Sequence, residues 1–332
     1  MKTNHPLSRR TFIRTATAGA FAFILPGSVR AAVRSLAQPV KLGLIADLHQ
    51  DIMHDGLERM QAFVREMEIQ RPDALIQLGD FAYPNEKNQA VIDLFNGAHA
   101  ETLHVIGNHD TDAGHTKEQC LEVWNMPGRY YTRTIAGIKL IVLDGNDTGS
   151  PTHRGGYVSY IGEEQRNWLA DELDNATQPV IIISHQPLAG TIAVDNAAEL
   201  QDLLGKYASK ILLAINGHSH VDDLLRIQGI TYLHLNSASY QWVGGDFQHQ
   251  SYSEAIHRDH PWISHTCPYR DSLFATLIIE PDLQLIRIEG RSSEWVGPSP
   301  AALGTNSYPG LHVGEEVAPR IRDRRIELVG KS

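Results

Sequence analysis

Short apolar runs recur along this chain, each ending abruptly in glycine or polar residues, with stretches of helical spacing between them. Val40-Lys41-Leu42-Gly43-Leu44-Ile45-Ala46 reads as a buried strand. Leu57, Met60, Val64 and Met67 then recur at near-helical spacing, which predicts a helix over Gly56 to Gln70 with an apolar stripe on the core. Arg71-Pro72-Asp73 breaks that helix, and Ala74 to Leu78 forms a second strand. A helix over about Glu86 to Phe95 leads to a third strand that starts at Leu103 and runs into Gly107-Asn108-His109-Asp110. This strand–helix–strand rhythm marks α/β architecture, in which sites form at the carboxyl ends of strands.

Further strands are expected at Ile138–Leu143, Val180–Ile183, Ile211–Ile215 and Ile230–Leu235, with helices over Thr116–Trp124, Gly162–Asp174 and Asn196–Tyr207. Leu273–Ile279 and Leu283–Ile288, split by Pro281-Asp282, read as a β-hairpin. The second half is richer in strands than the first. A two-sheet mixed β-sandwich flanked by helices accommodates both halves in one domain over residues 40–290. Residues 244–270 are polar and aromatic and read as an excursion over the surface, and residues 291–332 read as a C-terminal tail.

The amino terminus departs from this pattern. Ser8-Arg9-Arg10-Thr11-Phe12-Ile13-Arg14, an apolar run to Pro26 and Val29-Arg30-Ala31 resemble a bacterial twin-arginine export signal, with cleavage expected after Ala31. That run is too short to span a bilayer, which takes ~20 residues. The resemblance implies recognition by the twin-arginine machinery and a periplasmic or secreted protein. Residues 1–31 hold five of the 29 basic residues and no acidic one, so the mature chain sets 24 against 39, a net charge of −15. Such a balance gives no reason to bind nucleic acid, and no stable membrane association is expected after cleavage. The two cysteines, Cys120 and Cys267, show no metal-like spacing and are read as structural.

Five of the strand ends carry chemistry: Asp47 and His49, Asp80, Asn108 and His109, His185, and His218 with His220. Asp47 and His49, two apart on an extended chain, project from one face and suit a single ion. Gly79, Gly107 and Gly217 each precede a key residue, as if backbones must approach a common centre. Carboxylate, amide and imidazole donors without thiolate favour Mn, Fe, Zn, Co or Ni over Ca, Mg or a structural zinc. The set exceeds what one ion needs, and two ions ~3.5–4 Å apart sharing a carboxylate would use it.

The order of blocks, D-x-H, G-D, G-N-H-D, S-H-x-P and G-H-x-H, resembles the calcineurin-like metallophosphoesterase superfamily over roughly residues 40–290. Gly156-Tyr157-Val158, Ser237-Ala238-Ser239-Tyr240 and Pro268-Tyr269-Arg270-Asp271 resemble its bacterial branch of cyclic-nucleotide phosphodiesterases. The resemblance implies that Asp47, His49 and His220 hold one metal, that Asn108, His185 and His218 hold the other, and that Asp80 bridges. Two transition-metal ions, divalent or trivalent (Mn, Fe or Zn), are thereby implied as cofactors. His109 would be the catalytic, non-ligand histidine beside the phosphate, with Asp110 either orienting it or capping the turn. Tyr83 stands where purple acid phosphatases carry a tyrosinate ligand, but His49 fills that slot here, so Tyr83 is expected to pack nearby or face substrate. Tyr240 and Trp242 are further candidates for substrate contact. The expected reaction is hydrolysis of a small phosphate ester, by preference a diester, because the motifs bring no Lys or Arg cluster to clamp a dianion. Phosphomonoesters or pyrophosphate bonds are the alternative substrates. A non-catalytic scaffold would be expected to lose ligands, and none is missing.

Overall fold

The computed structural model describes residues 33–190, 192–305 and 317–328, so the segment expected to be a twin-arginine signal lies outside the described residues. The first half runs β1 (Val40–Ile45), α1 (Gly56–Gln70), β2 (Ala74–Gln77), α2 (Gln89–Gly97), β3 (Thr102–His104), α3 (Lys117–Val123), β4 (Tyr131–Ile135) and β5 (Ile138–Val142). The middle adds α4 (Glu163–Asp174), β6 (Val180–Ser184), α5 (Ala197–Lys206), β7 (Ile211–Asn216), β8 (Asp223–Ile227), β9 (Ile230–His234) and β10 (Tyr240–Trp242). The last part holds α6 (Glu254–Asp259), β11 (Thr266–Pro268), β12 (Ala275–Glu280), β13 (Leu285–Glu289), β14 (Arg291–Ser292), β15 (Arg320–Ile321) and β16 (Arg324–Glu327).

Two six-stranded mixed sheets form the sandwich, in the orders β16-β13-β12-β1-β2-β3 and β4-β5-β6-β7-β9-β8. Their inner faces share one core, built from residues such as Leu42, Leu44, Ile76, Leu140, Ile181, Leu213 and Leu277. Helices α1 and α2 cover the outer face of the first sheet through Met60, Phe63, Met67 and Phe95. Helices α4 and α5 cover the second through Leu169, Leu173, Leu200 and Leu204. Strands buried on both faces read as continuous apolar runs, which is why β1, β6 and β7 were legible.

Local signals fix the helix ends. Arg71 takes the left-handed conformation that closes α1, with Pro72 behind it. Thr116 and Gln119 form a reciprocal capping box at the start of α3.

The structure departs from the sequence pattern in several places. β3 stops at His104, and the apolar Val105 and Ile106 continue as buried loop before His109–Gly114 winds into a 3-10 turn. The chain beyond Gly290, read as a tail, returns as β16 against β13 and buries Ile326 in the core. The 244–270 excursion is only partly a surface feature. Helix α6 is exposed, but Ile263 packs with Met53 and Tyr240, and β11 pairs with β10. Cys120 and Cys267 are both buried and unbonded.

β1, β2 and β3 run parallel, as do β5, β6, β7 and β9. Their carboxyl ends open on the same end of the sandwich, and the loops leaving β1, β2, β3, β6 and β7 carry the candidate site.

Candidate metal centre

The loops at those strand ends are held in unusual backbone geometry. Asp47 (φ 51°), His49 (50°), Asp80 (50°), His218 (65°) and His220 (51°) all lie in the left-handed region. Each such residue costs roughly 1–3 kcal/mol and persists only where its surroundings fix it. Here the loops lock one another: Asp47 N–H donates to Gly79 O (3.1 Å) and His49 N–H to Asp80 O (2.9 Å). A Cβ on Gly107 would lie 2.1 Å from Asp80 Oδ1, and one on Gly217 2.6 Å from Asp47 Oδ2. The glycines are therefore required by close approach.

Two donor clusters result, Asp47–His49–His220 and Asp80–His185–His218. Asn108 joins the second, its Oδ1 3.2 Å from His185 Nε2. Asp80 Oδ2 lies 3.2 Å from His185 Nε2 and 3.7 Å from His49 Nε2, so it reaches both clusters. All seven residues implied as ligands are thus brought together. His220 Nδ1 is positioned to donate to Tyr240 O (2.8 Å) and His185 Nδ1 to Leu78 O (2.8 Å), which turns both Nε2 lone pairs inward. His49 and His220 place Nε2 atoms 3.1 Å apart, and His218 Nδ1 sits 3.2 Å from His185 Nε2. Facing lone pairs at that distance repel unless a cation or a proton lies between them. With carboxylates adjacent and no thiolate, the residues fit two transition-metal cations.

The surroundings explain the auxiliary motifs. Ser237 Oγ–H donates to Asp47 O and Ser239 Oγ–H to Leu48 O, so this serine block pins the Asp47–His49 loop. Tyr240 was expected at the substrate. Its ring is 1% exposed and stacked on His49 at 4.9 Å, so it props the ligands and has no free face to offer. Trp242 remains open to solvent. Tyr83 lines the cleft with His49, Asp80 and His109; its ring packs by His115, and burial followed by the Asp112 and Asp51 charges pushes its hydroxyl up to about 12.

Asp110 caps. Its carboxylate accepts the backbone N–H groups of Asp80, Phe81, Ala82 and Gly107. Burial and the Asp80 charge push it up to about 8, but all four donors need lone pairs and so fit the anion. The residue that orients His109 is Asp112, whose Oδ2 lies 2.8 Å from His109 Nδ1. Tyr157 O–H donates to the same Oδ2 at 2.6 Å. Sequence reasoning missed Asp112 in this role. Its one signal was the three-residue spacing from His109, which a tight turn closes.

The family called calcineurin-like phosphoesterase matches residues 40–222, more than half of the chain. The chain belongs to the calcineurin-like phosphoesterase family. A cAMP/cGMP dual specificity phosphodiesterase of Mycobacterium tuberculosis is 28% identical over 172 residues, 48% of this chain and 52% of that protein. The chain thus spans about half the length of that curated relative. Among solved structures, a dimetal phosphatase from Danio rerio superposes with a TM-score of 0.54 at 16% identity, covering 78% of this chain and 99% of the other. GAP50, the anchor in the inner membrane complex of Plasmodium, gives 0.53 at 15% identity, covering 76% and 84%. At these identities the likeness establishes the fold alone, and function rests on the site.

Stripped of metal, the site of this phosphoesterase chain would hold its charge unevenly. Burial opposes the charged forms of both His185 and Asp80. Their mutual attraction nevertheless holds His185 up at about 9 and Asp80 well below the carboxylate range. Burial, aided by His185, pushes His218 down to about 3. The His185 proton occupies space a cation would take, so metal must displace it. A raised imidazole stabilises the metal-free fold in full below its ordinary value of about 6.5, and that contribution is lost as pH rises through about 9. The melting temperature of chelator-stripped protein is therefore expected to fall between pH 6.5 and 9, while Mn(II) or Zn(II) restores it. A stripped protein that grows more stable over that window would contradict the charge assignment.

Proposed function

We propose that this protein hydrolyses phosphate esters, by preference phosphodiesters, at a dinuclear metal centre. The observation that carries the reading is the pair of adjacent donor clusters with Asp80 reaching both. Asp47, His49 and His220 would hold one ion and Asn108, His185 and His218 the other, with Asp80 within reach of both. Bound there, the cations supply charge for the phosphoryl oxygens and the acidity that makes a hydroxide nucleophile available near neutral pH.

The protein's own groups supply orientation and the proton. His109 is fixed through Nδ1 by Asp112, which leaves Nε2 as the nitrogen that serves the reacting group. There it protonates the leaving oxygen or donates a hydrogen bond to the phosphoryl group as negative charge builds. Preference for a diester is supported by charge. The cleft beside His49 and Asp80 is lined by Asp51, Tyr83 and His109 among others, and among the described residues no Lys or Arg lines it. A monoanionic diester needs less cationic clamping than a dianionic monoester. The cyclic-nucleotide phosphodiesterase named above points the same way.

Export through the twin-arginine pathway is part of the proposal and is supported by Ser8 to Arg14 and Val29-Arg30-Ala31. A folded, metal-loaded protein would then reach the periplasm or the medium. Replacing Arg9 and Arg10 by Lys is expected to retain the precursor inside the cell; normal processing of that double variant would sink the export reading.

Activity is tested with metal-loaded protein on matched aryl phosphates. The bis-aryl diester is expected to show the higher kcat/KM, and a clear monoester preference would refute the diesterase reading. His109→Ala should lose about 10²-fold or more in kcat with metal content intact. Asp112→Asn should also lower kcat with metal content intact, because the imidazole keeps its place but not its tautomer. If His109→Ala also lost the metals, the division of roles would be wrong.

A further inference from the structure

The loop after β7 carries His218 and His220 in left-handed backbone and then enters β8, an edge strand paired with β9. Its far end is gripped by residues 100 positions further along the chain. Asp222, two residues past His220, is 3% exposed. Its Oδ2 accepts Arg322 N–H (3.1 Å) and Arg322 Nε–H (2.7 Å) and pairs with Arg324 Nη2 at 3.1 Å. Its backbone O accepts from Arg322 Nη2 at 2.8 Å.

The same segment reaches the second loop of that donor cluster. Asn236 Nδ2 donates to Ala318 O (2.9 Å) and Arg320 O (3.0 Å), and Asn236 immediately precedes the Ser237 that holds Asp47 O. β16 pairs with β13, so the segment is anchored on the first sheet while it grips an edge of the second. The two clusters thus have different supports. The Asp80 and Gly107 turns are tied by Asp110, and Gln186, beside His185, is tied to Asn146. His218 has its own N–H held by Asp47 (3.0 Å). The bonds from residues 318–324 go instead to the loops that carry Asp47, His49 and His220.

Removing one partner of a buried ion pair leaves a charge that must shift toward water. Moving Asp222 moves His220, whose left-handed backbone persists only while its surroundings fix it. We propose that Arg322 is a positioning residue for the metal centre: through Asp222 it holds His220, so the C-terminal segment governs how tightly the ion at Asp47, His49 and His220 is retained. This segment lies beyond residue 222, where the family match ends. The inference rests on the dinuclear reading and deepens it by making the two ions depend on different parts of the chain.

The test is the zinc affinity of the stripped full-length chain, measured by chelator competition, with anomalous diffraction at the zinc edge to say which site is filled. Arg322→Ala is expected to weaken one ion roughly tenfold, the low end of what lost outer partners of metal ligands cost. The weakened site should be Asp47–His49–His220, and the other ion should keep its affinity. Arg322→Lys should restore part of the loss, because an ammonium group can still reach Asp222. Asp222→Asn should weaken the same ion. Ile326→Ala, which removes core packing from β16 without touching Asp222, should lower the melting temperature and leave both affinities in place. Unchanged affinities in Arg322→Ala, equal weakening of both ions, or selective loss of that ion in Ile326→Ala would overturn the clamp. An unaltered protein that binds fewer than two ions would overturn the dinuclear reading itself, and the clamp with it.

Discussion

Asp47 and Asp80 are buried to 0% and 2% exposure, and among the described residues no Lys or Arg pairs with either. Besides the backbone N–H of His218 on Asp47 and that of His109 on Asp80, the donors that face them are imidazoles. Burying a carboxylate without a cationic partner costs several kcal/mol even after relaxation, and two near one another cost more. The centre is therefore in deficit of positive charge, which the His185 proton offsets only in part, and the inward lone pair of His220 sharpens that deficit. Cations resolve both problems at once. The strained loops, the invading glycines and the serine block all serve to hold these anions where cations can be shared.

The fold supplies the convergence. Parallel strands from two sheets end on one side of the sandwich, so five loops meet without any long arm reaching across. Asp110 shows how the loops are tied. One buried carboxylate takes four amide donors from two of them, fixing the Asp80 turn against the Gly107 turn. Asn146 does similar work from behind, donating to Ile106 O while accepting from Gln186. Rigid supports of this kind let ligands sit in left-handed geometry that free loops would abandon.

Much of this was legible because it depends on short-range pattern. The α1 stripe at Met60, Val64 and Met67, the doubly buried β1, β6 and β7, and the polar ends of the runs all declare themselves locally. Edge strands do not. β4, β8 and β16 each mix charged residues such as the exposed Arg133 and the half-buried Arg226 and Arg324 into short runs, and their place depends on a neighbour far along the chain. The same holds at the site. Ligand types were readable at strand ends, but Asp112 acts through a turn that the apolar pattern before it conceals. Tyr157 arrives from a loop with no periodicity. Tyr240 could not be told from Trp242 by type, because only the tertiary packing buries one ring and opens the other.

The two donor clusters would seat two cations side by side. X-ray absorption and anomalous diffraction on metal-loaded protein would measure this directly. Two ions per chain are expected at ~3.5–4 Å, bridged by Asp80, with only nitrogen and oxygen donors. A single ion, ions too far apart to share Asp80, or a fully folded protein that binds none at neutral pH would contradict it.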